Sequence, residues 1–343
     1  MRHALLFPFL LACSLGLAQD QPSKAEQKAV ALLAKGKPYK ALAICADHLD
    51  RGRVEPRFHL IRAEAYNSIG EPLKGEAAAR LALAHDPRSV NALLQLGIAE
   101  QGLGRNDSAA VHLQRVMDLG PSPKAAYHMA LTRQQQRDPA AALNILDGPL
   151  AMAAAPADRA RAERMRGECQ AQLGDTAAAS ASFEQALALD ERDPVTWNSR
   201  GFHRYASFGD HARAVRDYDQ AIKLNPNYGY AFNNRGWSLY KLGEVEKALK
   251  NIDLSLRKRP DNPYAYRNLG VIRLEQGQVK EGCQALRTAL DMRYTALFDD
   301  EVERLVAERC PAQPPPPVQP PSNAPAPRSN APDKPATPRT NAP

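Results

Sequence analysis

The chain has 343 residues, of which 44% are hydrophobic and 24% charged, with a formal net charge of +7. This is ordinary globular composition, and without Arg2 and the proline-rich end 41 basic side chains stand against 37 acidic ones. No dense lysine or arginine stripe remains, so nucleic acid is not an expected partner.

The first residues read as an export signal. Met1, Arg2 and His3 give a short basic start, Ala4 to Leu17 is almost wholly apolar, and Gly16 and Ala18 are small enough for cleavage after Ala18. Residues 1–18 are therefore expected to be a signal peptide, and the mature protein to lie in the periplasm or cell envelope, or to be secreted. Leu10-Leu11-Ala12-Cys13 also resembles a bacterial lipobox. If Cys13 is lipidated, the protein is tethered to a membrane; otherwise no membrane association is expected, since no later segment is apolar enough to span one.

From residue 19 to 296 the chain repeats. Small residues recur at Ala29, Ala63, Gly97, Ala130, Gly167, Gly201, Gly236 and Gly270, with spacings of 34, 34, 33, 37, 34, 35 and 34. Seven residues further on (eight in the sixth copy) stand Gly36, Gly70, Gly104, Arg137, Gly174, Gly209, Gly243 and Gly277. Five beyond those come Ala41, Gly75, Ala109, Ala142, Ala179, Ala214, Ala248 and Gly282. The pattern is that of a helical hairpin. The outer columns are small where two antiparallel helices approach closely, and the middle glycine ends the first helix in a left-handed conformation. Leu113, Leu146, Phe183, Tyr218, Ile252 and Leu286, four residues after the third column, are predicted to face inward. Pro87, Pro121, Pro226 and Pro260 are predicted to end second helices. The fourth copy, residues 123–159, is irregular: Arg137 replaces the glycine, Pro149 falls inside the expected second helix and the interval stretches to 37.

The order aromatic-x3-Gly, Gly, Ala, aromatic or aliphatic, then Pro, clearest in Trp197 to Pro226 and Phe232 to Pro260, resembles the tetratricopeptide repeat family. The resemblance implies an all-α superhelix, a solenoid of about eight hairpins whose first helices line a concave face, and a role in binding proteins rather than in catalysis. Stacked hairpins need a cap, and Val302, Leu305 and Val306 form an apolar stripe that suits residues 297–310 as a capping helix. Cys283 and Cys310 are expected at the same end of that last layer, where an exported protein could join them in a disulfide. Residues 311–343, rich in proline with near-repeats of Ser-Asn-Ala-Pro, are expected to be disordered, as a spacer or a docking segment.

No catalytic signature appears. The eight histidines form no HExxH pair, and there is no GxSxG, P-loop or GxGxxG. No catalytic residue, metal ligand or cofactor is assigned. Binding has more support, because 12 of the 21 aromatics fall between 194 and 266. Phe202, Tyr205, Tyr230, Trp237, Tyr240 and Tyr264 are predicted to look into the concave groove, with Asn198, Asn233, Asn234, Arg267 and Asn268 among them. Aromatics offer stacking area and asparagines can pair with both groups of a peptide backbone. The lysines and arginine that some family members use to clamp a terminal carboxylate are missing. The expected role is a non-catalytic envelope adaptor that binds a partner or an extended peptide on hairpins six to eight. The alternatives are an outer-membrane-tethered assembly factor and a binder of cell-wall polymer.

Overall fold

A computed structural model describes residues 21–50, 56–148, 155–292, 294 and 300–311. The signal segment with Cys13, Pro149 and the tail beyond Pro311 lie outside the described residues. Seventeen α-helices and no strand occur among the described residues. They pair as hairpins: α1 (Lys24–Ala34) with α2 (Pro38–Asp50), α3 (Pro56–Ser68) with α4 (Pro72–His85), and α5 (Val90–Gly102) with α6 (Asn106–Leu119). Next come α7 (Pro123–Gln135) with α8 (Pro139–Leu146), and α9 (Pro156–Gln172) with α10 (Thr176–Leu189). The last three pairs are α11 (Pro194–Arg200) with α12 (His211–Leu224), α13 (Gly229–Lys241) with α14 (Val245–Lys258), and α15 (Pro263–Glu275) with α16 (Val279–Asp291). A final helix, α17 (Glu301–Arg309), packs on α16. The architecture is an all-α solenoid of eight hairpins with a terminal helix.

Each hairpin turns in the same way. All seven glycines of the middle column have φ between +65° and +87°, and Arg137 takes the same left-handed conformation at +62°. In every copy the N–H of the next residue donates back across the turn to a carbonyl five residues earlier, from Lys37 to Leu32 in the first and Gln278 to Arg273 in the eighth, both at 2.9 Å. This closes the orphan carbonyls of the first helix. Arg137 therefore occupies a backbone site suited to glycine, at a cost its neighbours must offset. The next helix then starts on an aspartate in three copies: Asp138, Asp175 and Asp210 each accept the N–H three residues ahead. The prolines Pro87, Pro121, Pro226 and Pro260 each stand two residues past the end of a second helix.

The core follows from the size pairing. Leu113, Leu146, Phe183, Tyr218, Ile252 and Leu286 are all fully buried, and five of them lie over glycines of the first column. A Cβ on Gly97, Gly167, Gly201, Gly236 or Gly270 would meet the facing side chain at 2.6–3.1 Å. These contacts bring first and second helices together closely enough to exclude water along the seam.

Successive first helices also touch one another along the stack, whereas second helices pack chiefly on the first helices of their own and the following hairpin. The first helices therefore form the inner, concave face. The fourth hairpin departs from the rest: α8 has 8 residues where the other second helices have 13 or 14. At the far end Val302 of α17 is fully buried and Leu305 and Val306 pack beside it on Cys283, Leu286 and Tyr294. Cys283 and Cys310 are joined there, with an S–S distance of 2.05 Å. Cys45 and Cys169 are buried thiols, and burial pushes them up to about 11 and about 12 respectively.

Candidate functional site

The inner face of hairpins six to eight begins with α11, which is not a simple helix. Its last turn runs into a π-turn, Gly201–Tyr205, and a 3-10 turn, Ala206–Phe208, before the left-handed Gly209. This is where the sixth copy carries its extra residue: the π-turn absorbs it within the helix, so the closing turn keeps its geometry.

The asparagines expected to face a ligand serve mainly to join helices. Asn234 Nδ2 of α13 donates to Asn198 Oδ1 of α11 at 3.1 Å, and Asn233 Nδ2 donates to Asn234 Oδ1 at 3.2 Å. Asn268 Nδ2 of α15 donates to Asn233 Oδ1 at 2.9 Å, and Arg267 Nη1 donates to Asn268 Oδ1 at 2.9 Å. Arg267 also pairs with Glu301 of α17. Asn198, Asn233 and Asn268 are buried. The physical reason is polar satisfaction: amides at adjoining positions of stacked first helices lose water and must find each other. The chain thus has a hydrogen-bonded seam across α11, α13 and α15 that ends on the terminal helix.

The aromatics divide into three groups. Tyr230, Tyr264 and Tyr294 form an edge-to-face row with centroids 6.2 and 5.8 Å apart, and the Arg259 guanidinium lies 4.6 Å from the Tyr230 ring. Burial pushes the Tyr264 hydroxyl up to about 12. Trp237 and Tyr240 pack with tilted rings 5.2 Å apart, and the Trp237 ring is also met by Arg267 at 4.4 Å and Lys241 at 4.9 Å. Tyr240 donates to Glu275 of α15 at 2.5 Å, and partial burial together with that carboxylate pushes it up to about 12. Phe202 is the most open of the set at 43% exposure. Tyr205 departs from its expected place in the groove. It lines a cavity with residues of α12, because the π-turn rotates it away from the register that Tyr240 keeps.

One charged cluster on this face was not singled out from the sequence. Arg164 of α9 pairs with Glu168 at 2.7 Å and donates to the Tyr127 hydroxyl at 3.2 Å. Glu168 accepts from Ser199 of α11 at 2.7 Å and from Gln134 of α7 at 3.2 Å. Burial alone would raise the Glu168 carboxyl, but Arg164, the nearby His203 and these hydrogen bonds hold it below the usual carboxylate range. His203, buried beside the pair, is pushed below the usual histidine range. The available signal was positional: Glu168 follows the small residue Gly167 directly, and Arg164 precedes it by one helical turn.

Among the described residues no group of three or more His, Cys, Asp or Glu could hold a metal ion. Nor is any helix among them long and apolar enough to cross a membrane.

Two segments, residues 165–193 and 201–263, match models of the tetratricopeptide repeat. With the repeated left-handed turns, small-to-large helix contacts and inner row of first helices, these matches show that the chain carries tetratricopeptide repeats. No curated protein matches it. Among solved structures it is similar to a chain of the APC/C hetero-tetramer Cut9-Hcn1, with a TM-score of 0.63 and 15% identity over 84% of this chain. It covers 55% of that chain, so it spans little more than half its length. It is also similar to a tetratricopeptide repeat protein from Parabacteroides merdae, with a TM-score of 0.58 and 16% identity over 74% of this chain and 98% of that one. At these identities the likeness establishes the fold.

Proposed function

We propose that this protein is a non-catalytic adaptor of the cell envelope that holds a partner protein or an extended peptide on the inner face of hairpins six to eight. The observation that carries this reading is the open Phe202 on the same run of first helices as the half-buried Tyr230 and Tyr264, the latter backed edge-to-face by the buried Tyr294. Large aromatics left accessible on a rigid concave surface supply contact area at little entropic cost. The hydrogen-bonded asparagine seam supports the reading in a second way, because it fixes the spacing of the helices that present those rings.

A photo-crosslinking residue in place of Phe202, compared with the same residue in place of Val111 on α6, tests this in envelope extract. A discrete protein adduct is expected from position 202 alone, and Tyr230→Ala should reduce it by roughly ten-fold, the scale of a binding hot spot. Equal adducts from both positions, or none from 202, would refute the groove. Retention by purified cell wall without any protein adduct would support polymer binding instead. Intact mass of the mature protein separates a chain beginning at Gln19 from one lipidated at Cys13.

A further inference from the structure

A cavity beside the π-turn lies between the first and second helices of hairpin six. Its volume is about 430 Å³, and Trp197, Arg200 and Tyr205 meet Arg213, Arg216 and Asp217 across it. Its origin can be read by comparing two register-equivalent tyrosines. Tyr240 stands four residues after Gly236 and bonds to Glu275 on the next first helix. Tyr205 stands four residues after Gly201, yet it faces the second helix of its own hairpin. The inserted residue of the π-turn rotates it there and leaves a gap between α11 and α12.

The chemistry of the gap is cationic with aromatic walls. Arg200 forms its floor: two of its nitrogens donate to the buried Asp217, each at 2.8 Å, and its guanidinium lies 4.8 Å from the Trp197 ring and 5.8 Å from the Tyr205 ring. That acid is thereby spent within the protein. Arg213 and Arg216 stand one helical turn apart on α12 at the cavity's edge. Arg213 reaches Asp210 at 3.4 Å from a side chain that is mostly exposed, a weak and screened pair. Arg216 is exposed and has no ion pair among the described residues. Hairpin seven has the same arginine over an aromatic, Arg235 over Phe232, but there Arg235 is held by Asn251 and Asp219.

The geometry points to a second binding site here, one that takes the carboxylate of an acidic segment of a partner protein. Arg213 and Arg216 grip the carboxylate in charge-assisted hydrogen bonds. The Trp197 and Tyr205 rings cover the methylenes of a glutamate stem. The Gln220 amide, also lining the cavity, offers a donor and an acceptor to the neighbouring peptide group. The cavity is an open cleft with room for a side chain and adjoining backbone. None of the residues of this site belongs to the tyrosine row or the asparagine seam.

The test is fluorescence anisotropy of a labelled hexaglutamate peptide with the intact protein, with labelled hexalysine as the reverse-charge probe. Saturable binding of hexaglutamate alone is expected. Arg213→Glu with Arg216→Glu should weaken it at least ~10-fold and Tyr205→Ala about 3-fold, as loss of paired charge and of stacking area imply. Arg257→Glu, at an exposed arginine of α14, should change it less than about 2-fold if the site rather than the overall charge binds. Thermal melts establish that each variant is folded. Absence of saturable binding overturns the proposal, as does equal weakening by Arg257→Glu. Displacement of the peptide by inorganic phosphate at equal concentration would overturn the peptide assignment, because the aromatic walls would then contribute nothing.

Discussion

Gly270→Ala isolates the contact on which the last full hairpin depends. In an exposed helix this change stabilises by about 1 kcal/mol, because alanine loses less backbone freedom. Here the new methyl would stand 2.6 Å from Leu286 Cγ, 2.7 Å from Leu286 Cδ2 and 3.0 Å from the Gly282 carbonyl oxygen. Leu286 is fully buried, and Cγ is not the free end of its side chain, so α15 and α16 must move apart. Overpacking of this kind costs roughly 1–3 kcal/mol, and the backbone contact places it at the upper end. The net expectation is a loss of about 1–2 kcal/mol, which lowers the melting temperature by some 2–8 °C for an array of this size. The control is the same substitution in a Leu286→Ala background. Leu286→Ala alone should cost about 2–5 kcal/mol, and the added methyl should then be neutral or stabilising, a coupling near 2 kcal/mol. Gly277→Ala gives the contrasting case: its site is open but its φ is +76°, so its cost should not depend on Leu286. Circular dichroism during thermal and urea unfolding reads all four variants. Stabilisation by Gly270→Ala in the wild-type background would refute the reasoning.

Two further outcomes are expected. Reduction of the Cys283–Cys310 bond opens a loop spanning 27 residues, and chain entropy assigns such a crosslink about 3.5 kcal/mol. Hydrogen exchange should therefore accelerate in α17 and α16 on adding dithiothreitol, while α3 to α6 remain unchanged; uniform acceleration along the array would contradict a local clamp. His128 is held down to about 4 by burial first and by Lys124 and Arg161 after it, with Nδ1 within 2.9 Å of Gln101 Oε1. The folded protein thus keeps this ring neutral while the unfolded chain binds a proton below its ordinary value near 6.5. Its contribution is full above about pH 6.5 and is lost as pH falls towards 4, by at most a few kcal/mol. His128→Gln should flatten urea stability across that interval, and an unchanged slope would remove His128 from the account.

Much of this protein was legible in one dimension. The positive-φ turns had to be glycine because a side chain there is strained, so a glycine column at fixed offset marked every hairpin, and the one exception, Arg137, was visible as such. Gly270 and Leu286 could likewise be paired in advance, since contacts within a hairpin depend on a fixed offset of 16 residues. Even the extra residue of the sixth copy showed as an eight-residue interval. Its placement did not: a longer loop and a π-turn have the same sequence length, and only the packed helices selected the π-turn that carries Tyr205 out of the groove.

The inner face was legible in composition and not in use. Periodicity placed Asn198, Asn233, Asn234, Arg267 and Asn268 near the first-helix surface, but it says nothing about the distance to the next hairpin. Stacking brought the amides within 3.2 Å of one another, where bonding between them replaces lost water. The same applies to Arg164 and Glu168, whose partners Tyr127, Gln134 and Ser199 come from neighbouring hairpins. By itself, then, the sequence determined the hairpins, because their geometry repeats at fixed offsets along the chain. The tertiary structure alone decided which polar and aromatic side chains remain open, because that depends on how one hairpin sits against the next.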